Sequence, residues 1–263
     1  MSGHVAVLEE LVRPVTPAAP RSTEGQLIYA VGDIHGRYDL LKTALGQIAA
    51  DSAREACGRT PVLVLLGDYI DRGPESAKVL QALVWLSRKG EFAFRPLKGN
   101  HEQALLQFLE EPEQGEPWLT YGGAETLISY GVEPPRTGAG PGALIAARDA
   151  LLDQMPASHL QVLGDLELMA TVGDYAFVHA GIRPERPLSA QTEGELLWIR
   201  GGFLDAQGPF ERVIVHGHTW LNETPQVYEH RLGLDTGAYH TGVLTVARLD
   251  GAMVQLFQAR ASA

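Results

Sequence analysis

Three apolar runs, Leu27–Val31 (LIYAV), Val62–Leu66 and Phe92–Leu97, each end on a compact polar cluster: GDIHG, GDYIDRG (Gly67–Gly73) and GNHE (Gly99–Glu102). After each cluster the apolar residues switch to helical spacing, over Tyr38–Ala50, over Ser76–Ser87 through Ala77, Leu80, Leu83, Val84 and Leu86, and over Gln103–Glu110. Short continuous apolar runs read as buried strands, and a 3.6-residue period reads as a helix packed on one face. Three successive strand, loop, helix units predict parallel strands joined by right-handed crossovers, with the three polar loops on one edge of the sheet. Ligands bind at such edges, where loops leave the ladder and can aim side chains at a common point.

From Glu111 the pattern loosens. Pro112, Gly115, Pro117, Gly122 and Gly123 interrupt it, and Gly131–Gly142 (GVEPPRTGAGPG) is too rich in Gly and Pro for a regular element. Helical spacing returns over Ala124–Ser129 and Ala143–Gln154, so residues 111–160 read as a mostly helical insertion capping one side of the site. Such insertions often carry recognition, and substrate preference is expected there. The chain then turns β-rich, with strand candidates at Leu166–Val172, Tyr175–His179, Val213–His216, Gln226–His230, Arg231–Leu234 and Gly242–Leu249. Several are expected to pair antiparallel, the first two around a Gly173-Asp174 turn. The fold class is α/β: two packed mixed β-sheets flanked by helices. Pro14–Glu24 (PVTPAAPRSTE), with three prolines, predicts a flexible arm over residues 1–24 ahead of a single domain over 25–263.

Composition narrows the chemistry. A chain of 263 residues, 45% hydrophobic and 20% charged, suits a soluble globular protein with one core. The lone Cys57 excludes an internal disulfide and fits a reducing compartment. A net charge of −11 opposes a broad nucleic-acid surface, which would lean on many Lys and Arg contacts to phosphate. Aspartates gathered around cations would add to that balance while leaving the loaded site neutral or positive. With no signal-peptide pattern and no run of membrane-spanning length, no membrane partner is expected and the cytoplasm is the simplest location.

Asp33 and His35 in GDIHG, Asp68 in GDYIDRG, Asn100 in GNHE, His179 in HAG and His218 in HGHT all stand at or just past the end of an apolar run. Each alone could be a capping carboxylate, a turn residue or a surface histidine. Five loops carrying ligand-type residues at strand ends point instead to a common site. Two Asp, one Asn and three His suit manganese, iron or zinc better than calcium, and the absence of thiolates argues against a structural zinc site. Two neighbouring cations would need a bridging carboxylate, for which Asp68 in the central loop is the choice. Arg72 offers a forked donor set for phosphate oxygens, or a structural ion pair with Asp71. Among other histidines, strand alternation would put His216 on the face of His218, His230 and His240 have no assigned place, and His4 and His159 read as surface residues. Tyr239 reads equally as a site-lining or a packing aromatic, whereas Trp118, Tyr121 and Trp220 read as packing.

The ordered set GDIHG, GDYIDRG, GNHE, HAG and HGHT, from Gly32 to Thr219, resembles the calcineurin-like metallophosphoesterases, and within them the serine/threonine phosphoprotein phosphatases of bacterial and phage type. The ending Leu234–Val246 (LDTGAYHTGVLTV) is similar to that family as well. The resemblance implies the family's packed-sheet sandwich and two divalent metal ions, manganese first with iron or zinc as alternatives. Asp33 and His35 would bind one metal, Asn100, His179 and His218 the other, with Asp68 between them and a hydroxide held by both metals attacking phosphorus. His101 would be the proton donor and Asp71 its partner. Arg72 and Arg200 would bind phosphate, with Arg183 a rival for the second place. Trp220 departs from the proline that commonly follows GHT, which bears on loop shape. The implied substrates are phosphorylated proteins or small phosphate esters. Dinucleoside polyphosphates such as diadenosine tetraphosphate are the alternative, a nuclease or cyclic-nucleotide activity is less suited to Arg72, and a non-catalytic phosphate-binding module would have shed ligands that are all present here.

Overall fold

The computed structural model describes residues 4–7 and 21–261. Two sheets face each other. The first has six strands in the order β1 (His4–Val7), β11 (Met253–Arg260), β10 (Val243–Asp250), β2 (Leu27–Val31), β3 (Val62–Leu65) and β4 (Ala93–Pro96). The second runs β5 (Met169–Val172), β6 (Tyr175–Val178), β7 (Val213–His216), β9 (Arg231–Gly233) and β8 (Gln226–Val227). As the repeated units predict, β2, β3 and β4 are parallel, with Ile28 opposite Val62 and Val62 opposite Ala93. Their crossovers are α1 (Tyr38–Glu55) and α2 (Ser76–Lys89), and α3 (Asn100–Glu110) follows β4.

Both faces of the first sheet are covered, which is why β2 and β3 carry no polar alternation. One face packs Ile28, Ala30, Val64 and Leu66 against Tyr175, Phe177, Val215 and Leu232 of the second sheet. The other packs Leu27, Tyr29, Leu63 and Leu65 against α1 through Leu41 and Ile48 and against α2 through Leu80 and Leu83. Each fully enclosed side chain of this kind stabilises the fold by about 1.5–3 kcal/mol. The insertion joins the same cluster: Trp118, Leu127, Leu144, Leu151 and Leu163 are buried with α2 and α3, and its helices Ala124–Ser129, Pro141–Gln154 and Ala157–Gly164 bear out its helical reading.

Three features depart from expectation. In the second sheet β5 with β6 and β8 with β9 form antiparallel pairs as expected, but β6, β7 and β9 are mutually parallel: the chain crosses back between β6 and β7 through the short helices Glu193–Trp198 and Gly201–Leu204, and returns from β7 to β9 by way of β8. Beyond the last expected strand, Gly251-Ala252 turns the chain into β11, which pairs with β10 along its whole length. The arm over residues 1–24 lies largely outside the described residues. Within it His4–Val7 pair antiparallel with β11, and Ser22 and Thr23 are tied to Asp174 and Gly251 by hydrogen bonds. The parallel strands β2, β3, β4, β6, β7 and β9 all run toward the same cluster of polar loops.

Candidate active site

The loops after β2 and β3 are zipped together by backbone bonds, the Asp68 carbonyl accepting from the Ile34 and His35 N–H groups and the Tyr69 carbonyl from Gly36. Glu102, buried at the start of α3, then holds the second and third loops: one carboxylate oxygen accepts the N–H groups of Asp68 (2.8 Å) and Gly99 (2.9 Å), the other those of Tyr69 (2.7 Å) and Ile70 (3.3 Å). Burial and the Asp68 charge push Glu102 up to about 8, with the backbone donors pulling the other way. Two glycines are required by close approach. A Cβ on Gly99 would lie 2.2 Å from Asp68 Oδ1, and one on Gly217 would lie 1.9 Å from Asp33 Oδ1. Left-handed backbone at His35, Asp68, Asp71, Arg72 and His218 costs about 1–3 kcal/mol each, and the loops' hydrogen bonds hold it.

The six candidate ligands converge from both sheets and all are buried. His35 Nδ1–H donates to the Ile70 carbonyl (2.9 Å) and His179 Nδ1–H to the Leu66 carbonyl (2.8 Å), which fixes the tautomers and turns both Nε2 lone pairs inward. His35 Nε2 lies 3.4 Å from Asp68 Oδ2 and also accepts from Arg72, while His179 Nε2 lies 3.4 Å from Asp68 Oδ1 and 2.9 Å from Asn100 Oδ1. His218 donates from Nδ1 to Asn100 Oδ1 (2.8 Å), and its N–H binds Asp33 Oδ2 (2.9 Å). Asp33 Oδ1 and His218 Nε2 are buried with no partner. Lone pairs facing one another and orphaned buried donor atoms are costly unless a cation lies among them, so this oxygen and imidazole set fits divalent metal ions. His35, Asp68 and His101, and again Asp68, His179 and His218, bring donor atoms within 4.8 Å of one another, a pair of groups sharing Asp68 and suited to two metals, with His101 rather than Asp33 in the first.

The charges agree with that reading. Burial pushes His35 down to about 3 and His218 to about 2, the latter helped by His179, so both are neutral imidazoles. Asp68 is held well below the usual carboxylate range, because its surrounding imidazoles outweigh burial. Asp33 is raised by burial and by the charges of Asp235 and Asp68. Asp235, which had no role in the sequence reading, lies buried beside Asp33, and burial pushes it up to about 7. Its signal was present in the DTG segment that follows β9.

His101 is oriented differently from the ligands. Its Nδ1–H donates to Asp71 Oδ2 at 2.7 Å, and Nε2 lies 3.9 Å from Asp68 Oδ2. Burial would lower its pKa, but the Asp68 and Asp71 carboxylates prevail and raise it. Arg72, Asn100, His101 and Arg200 line one cleft of about 560 Å³, whose rim carries the exposed Tyr121 and Trp198. Arg200 is exposed and donates to Thr219 (3.2 Å). Arg183 is instead occupied by Glu195, which Arg186 also approaches. Tyr239 lies under the Arg72 guanidinium at 4.8 Å and edge-on to His35.

Some expectations fail. His159 is buried, sharing hydrogen bonds with Tyr130 and Gln81. His216 bonds to the Gly217 carbonyl and to Arg231 and meets Phe203 edge to face, because the left-handed turn at His218 breaks the alternation that would have aligned the two. Trp118 is more than packing: its indole N–H reaches Asp71.

A donor cluster for two divalent cations, set at the joint carboxyl edge of two packed sheets beside a guanidinium-lined cleft, defines a metal-dependent phosphoesterase. The family model of calcineurin-like phosphoesterases matches residues 27–242, and the chain belongs to that family. It is 37% identical over 236 residues to serine/threonine-protein phosphatase 2 of Salmonella typhimurium, covering 84% of this chain and 92% of that protein. It is 31% identical over 160 residues to a symmetrical bis(5'-nucleosyl)-tetraphosphatase of an Acidovorax species, covering 60% of this chain and 45% of that protein. In fold it matches a cold-active protein-tyrosine phosphatase from Shewanella with a TM-score of 0.55, covering 88% of this chain and 80% of that one at 17% identity. Among the described residues no helix is long and apolar enough to cross a membrane.

Proposed function

We propose that this protein hydrolyses phosphate monoesters, with phosphoserine and phosphothreonine side chains of proteins as its principal substrates. The observation that carries the reading is the single cleft in which Arg72, Arg200 and the Asp71-supported His101 adjoin the six-ligand cluster. Asp33 and His35 would hold one cation, Asn100, His179 and His218 the other, with Asp68 shared. Bound there, divalent ions, manganese above iron or zinc, supply an activated water at neutral pH and neutralise phosphoryl charge.

The chain's own groups do the rest. Arg72 and Arg200 bind and orient the terminal phosphate through forked donors, which suits a dianion with free oxygens. As water oxygen joins phosphorus and the ester P–O bond breaks, the proton on His101 Nε2 passes to the departing alkoxide. Alkoxides of serine and threonine are poor leaving groups, so they need this donor most. Asp71 holds the ring by Nδ1 so that Nε2 carries that proton.

A second reading, hydrolysis of dinucleoside polyphosphates, is favoured by the exposed rings of Tyr121 and Trp198 at the rim, which a nucleobase could stack on. The test compares kcat/KM for a phosphothreonine peptide and for diadenosine tetraphosphate with added manganese. The peptide is expected to be the better substrate by at least about tenfold, a difference of roughly 1.4 kcal/mol in transition-state stabilisation. A preference for the dinucleotide would replace the first reading with the second.

A further inference from the structure

Resting on the ester hydrolysis proposed above, we infer that the insertion after α3 is a clamp on the proton-donating pair, with Trp118 and Thr126 as positioning residues that hold Asp71 for His101. Asp71 is wholly buried, and each of its oxygens is claimed by this segment. Trp118 Nε1–H donates to Oδ2 at 2.9 Å, the oxygen that also receives His101, and Thr126 Oγ1–H donates to Oδ1 at 2.6 Å. The Asp71 N–H donates in turn to Thr126 Oγ1 (2.9 Å) and Ser76 Oγ (3.1 Å). The next residue is held from the same side, the Arg72 N–H donating to the Gly122 carbonyl at 3.1 Å.

The clamp is built for this contact. Asp71 and Arg72 are consecutive left-handed residues, with φ of 71° and 67°, a backbone that its own sequence does not favour and that must be held from outside. The holding segment is itself unusual: between Trp118 and Thr126 the helical path is broken by a kink at Gly122, whose φ of 116° lies outside helical backbone. Trp118 is fixed by Phe108 of α3 (ring centroids 4.6 Å apart) and by Gly123, where a Cβ would lie 2.3 Å from the indole. The indole N–H therefore has one place to go, and the carboxylate that aims the acid is set by residues 47 and 55 positions away.

The test uses the full chain with manganese, as Trp118→Phe, Thr126→Val and Thr126→Ser. On a phosphothreonine peptide the first two variants are expected to lose about 10- to 100-fold in kcat, part of the range of general acid catalysis. On p-nitrophenyl phosphate, whose phenolate leaves without a proton, they should lose less than about threefold. Thr126→Ser keeps the hydroxyl and should keep the wild-type ratio between the two esters. In a His101→Ala background, Trp118→Phe should add less than about a twofold loss, since the two act as one unit. Equal losses on both esters, unchanged kcat on the peptide, or full additivity with His101→Ala would overturn the clamp. Independently of turnover, the low-field proton resonance of the His101 Nδ1–H bond should be lost or broadened in Trp118→Phe and Thr126→Val, and its persistence unchanged would overturn it too. If the wild type turned over neither ester, the ester-hydrolysis reading would fail, and the resonance would still decide the clamp.

Discussion

At the scale of single residues, Glu102 shows how one buried carboxylate can hold a loop system together. It is fully buried, yet four backbone N–H groups from two loops end on it, including that of the candidate ligand Asp68. Glu102→Gln keeps the shape but turns an NH₂ group toward two N–H donors. At pH 9, above its raised titration near 8, the expected loss is about 2–4 kcal/mol of stability by urea unfolding. An unchanged midpoint and slope would show that the loops are held by something else. Much of the candidate site was legible at this scale because its candidate ligands are local: each follows its own strand within a few residues, so a motif carries both the residue and its place. Trp118, Thr126 and Asp235 were not legible. The first two reach Asp71 from across the fold, and the third gains its importance only by lying against Asp33.

Among elements, the same distinction separates what periodicity could and could not reveal. The three β-loop-α units were readable because fully buried strands and one-sided helices leave strong patterns. The glycine that opens the two-residue turn at 251–252, between β10 and β11, was also a readable hairpin signal, and the last strand follows from it. Strand direction in the second sheet was not readable, since it depends on which neighbour a short strand finds. The docking of the insertion was likewise hidden, and Gly122 tests it. Its φ of 116° suits glycine alone, and a Cβ there would lie 2.7 Å from the Arg72 amide nitrogen. Gly122→Ala should therefore lower stability by about 1–3 kcal/mol. Displacing the Arg72 backbone should also weaken competitive inhibition by inorganic phosphate. Wild-type stability together with wild-type inhibition would mean that the insertion does not hold the arginine.

Across the whole molecule, the cation cluster is a joint between two sheets. Asp33, His35, Asp68 and Asn100 come from loops of the first sheet, His179, His218 and Asp235 from loops of the second, and the His218 N–H to Asp33 bond already crosses between them. Ions bound there would couple the sheets, and binding to the folded state alone adds about 2.7 kcal/mol at a hundred times the Kd. The pH dependence of that gain follows from the buried groups. Asp33 and Asp235 are raised carboxylates, so in the metal-free fold they retain a proton that the unfolded chain has already lost. Metal-free stability from this pair is therefore present at low pH and lost as pH rises from the ordinary carboxylate range through about 7. A cation replaces that proton, so the gain from metal grows across the same window. His35 and His218, pushed down to about 3 and about 2, are unprotonated in the fold throughout this window and offer no competition. Their own contribution to stability is full above the ordinary imidazole range and declines as pH falls below it, with or without metal down to those values. The rise in Tm produced by saturating manganese should then be larger at pH 8 than at pH 5.5, and calorimetry below pH 7 should register proton release on binding. A Tm increment that is flat, or larger at the acid end, would show that imidazoles rather than the carboxylate pair govern metal entry.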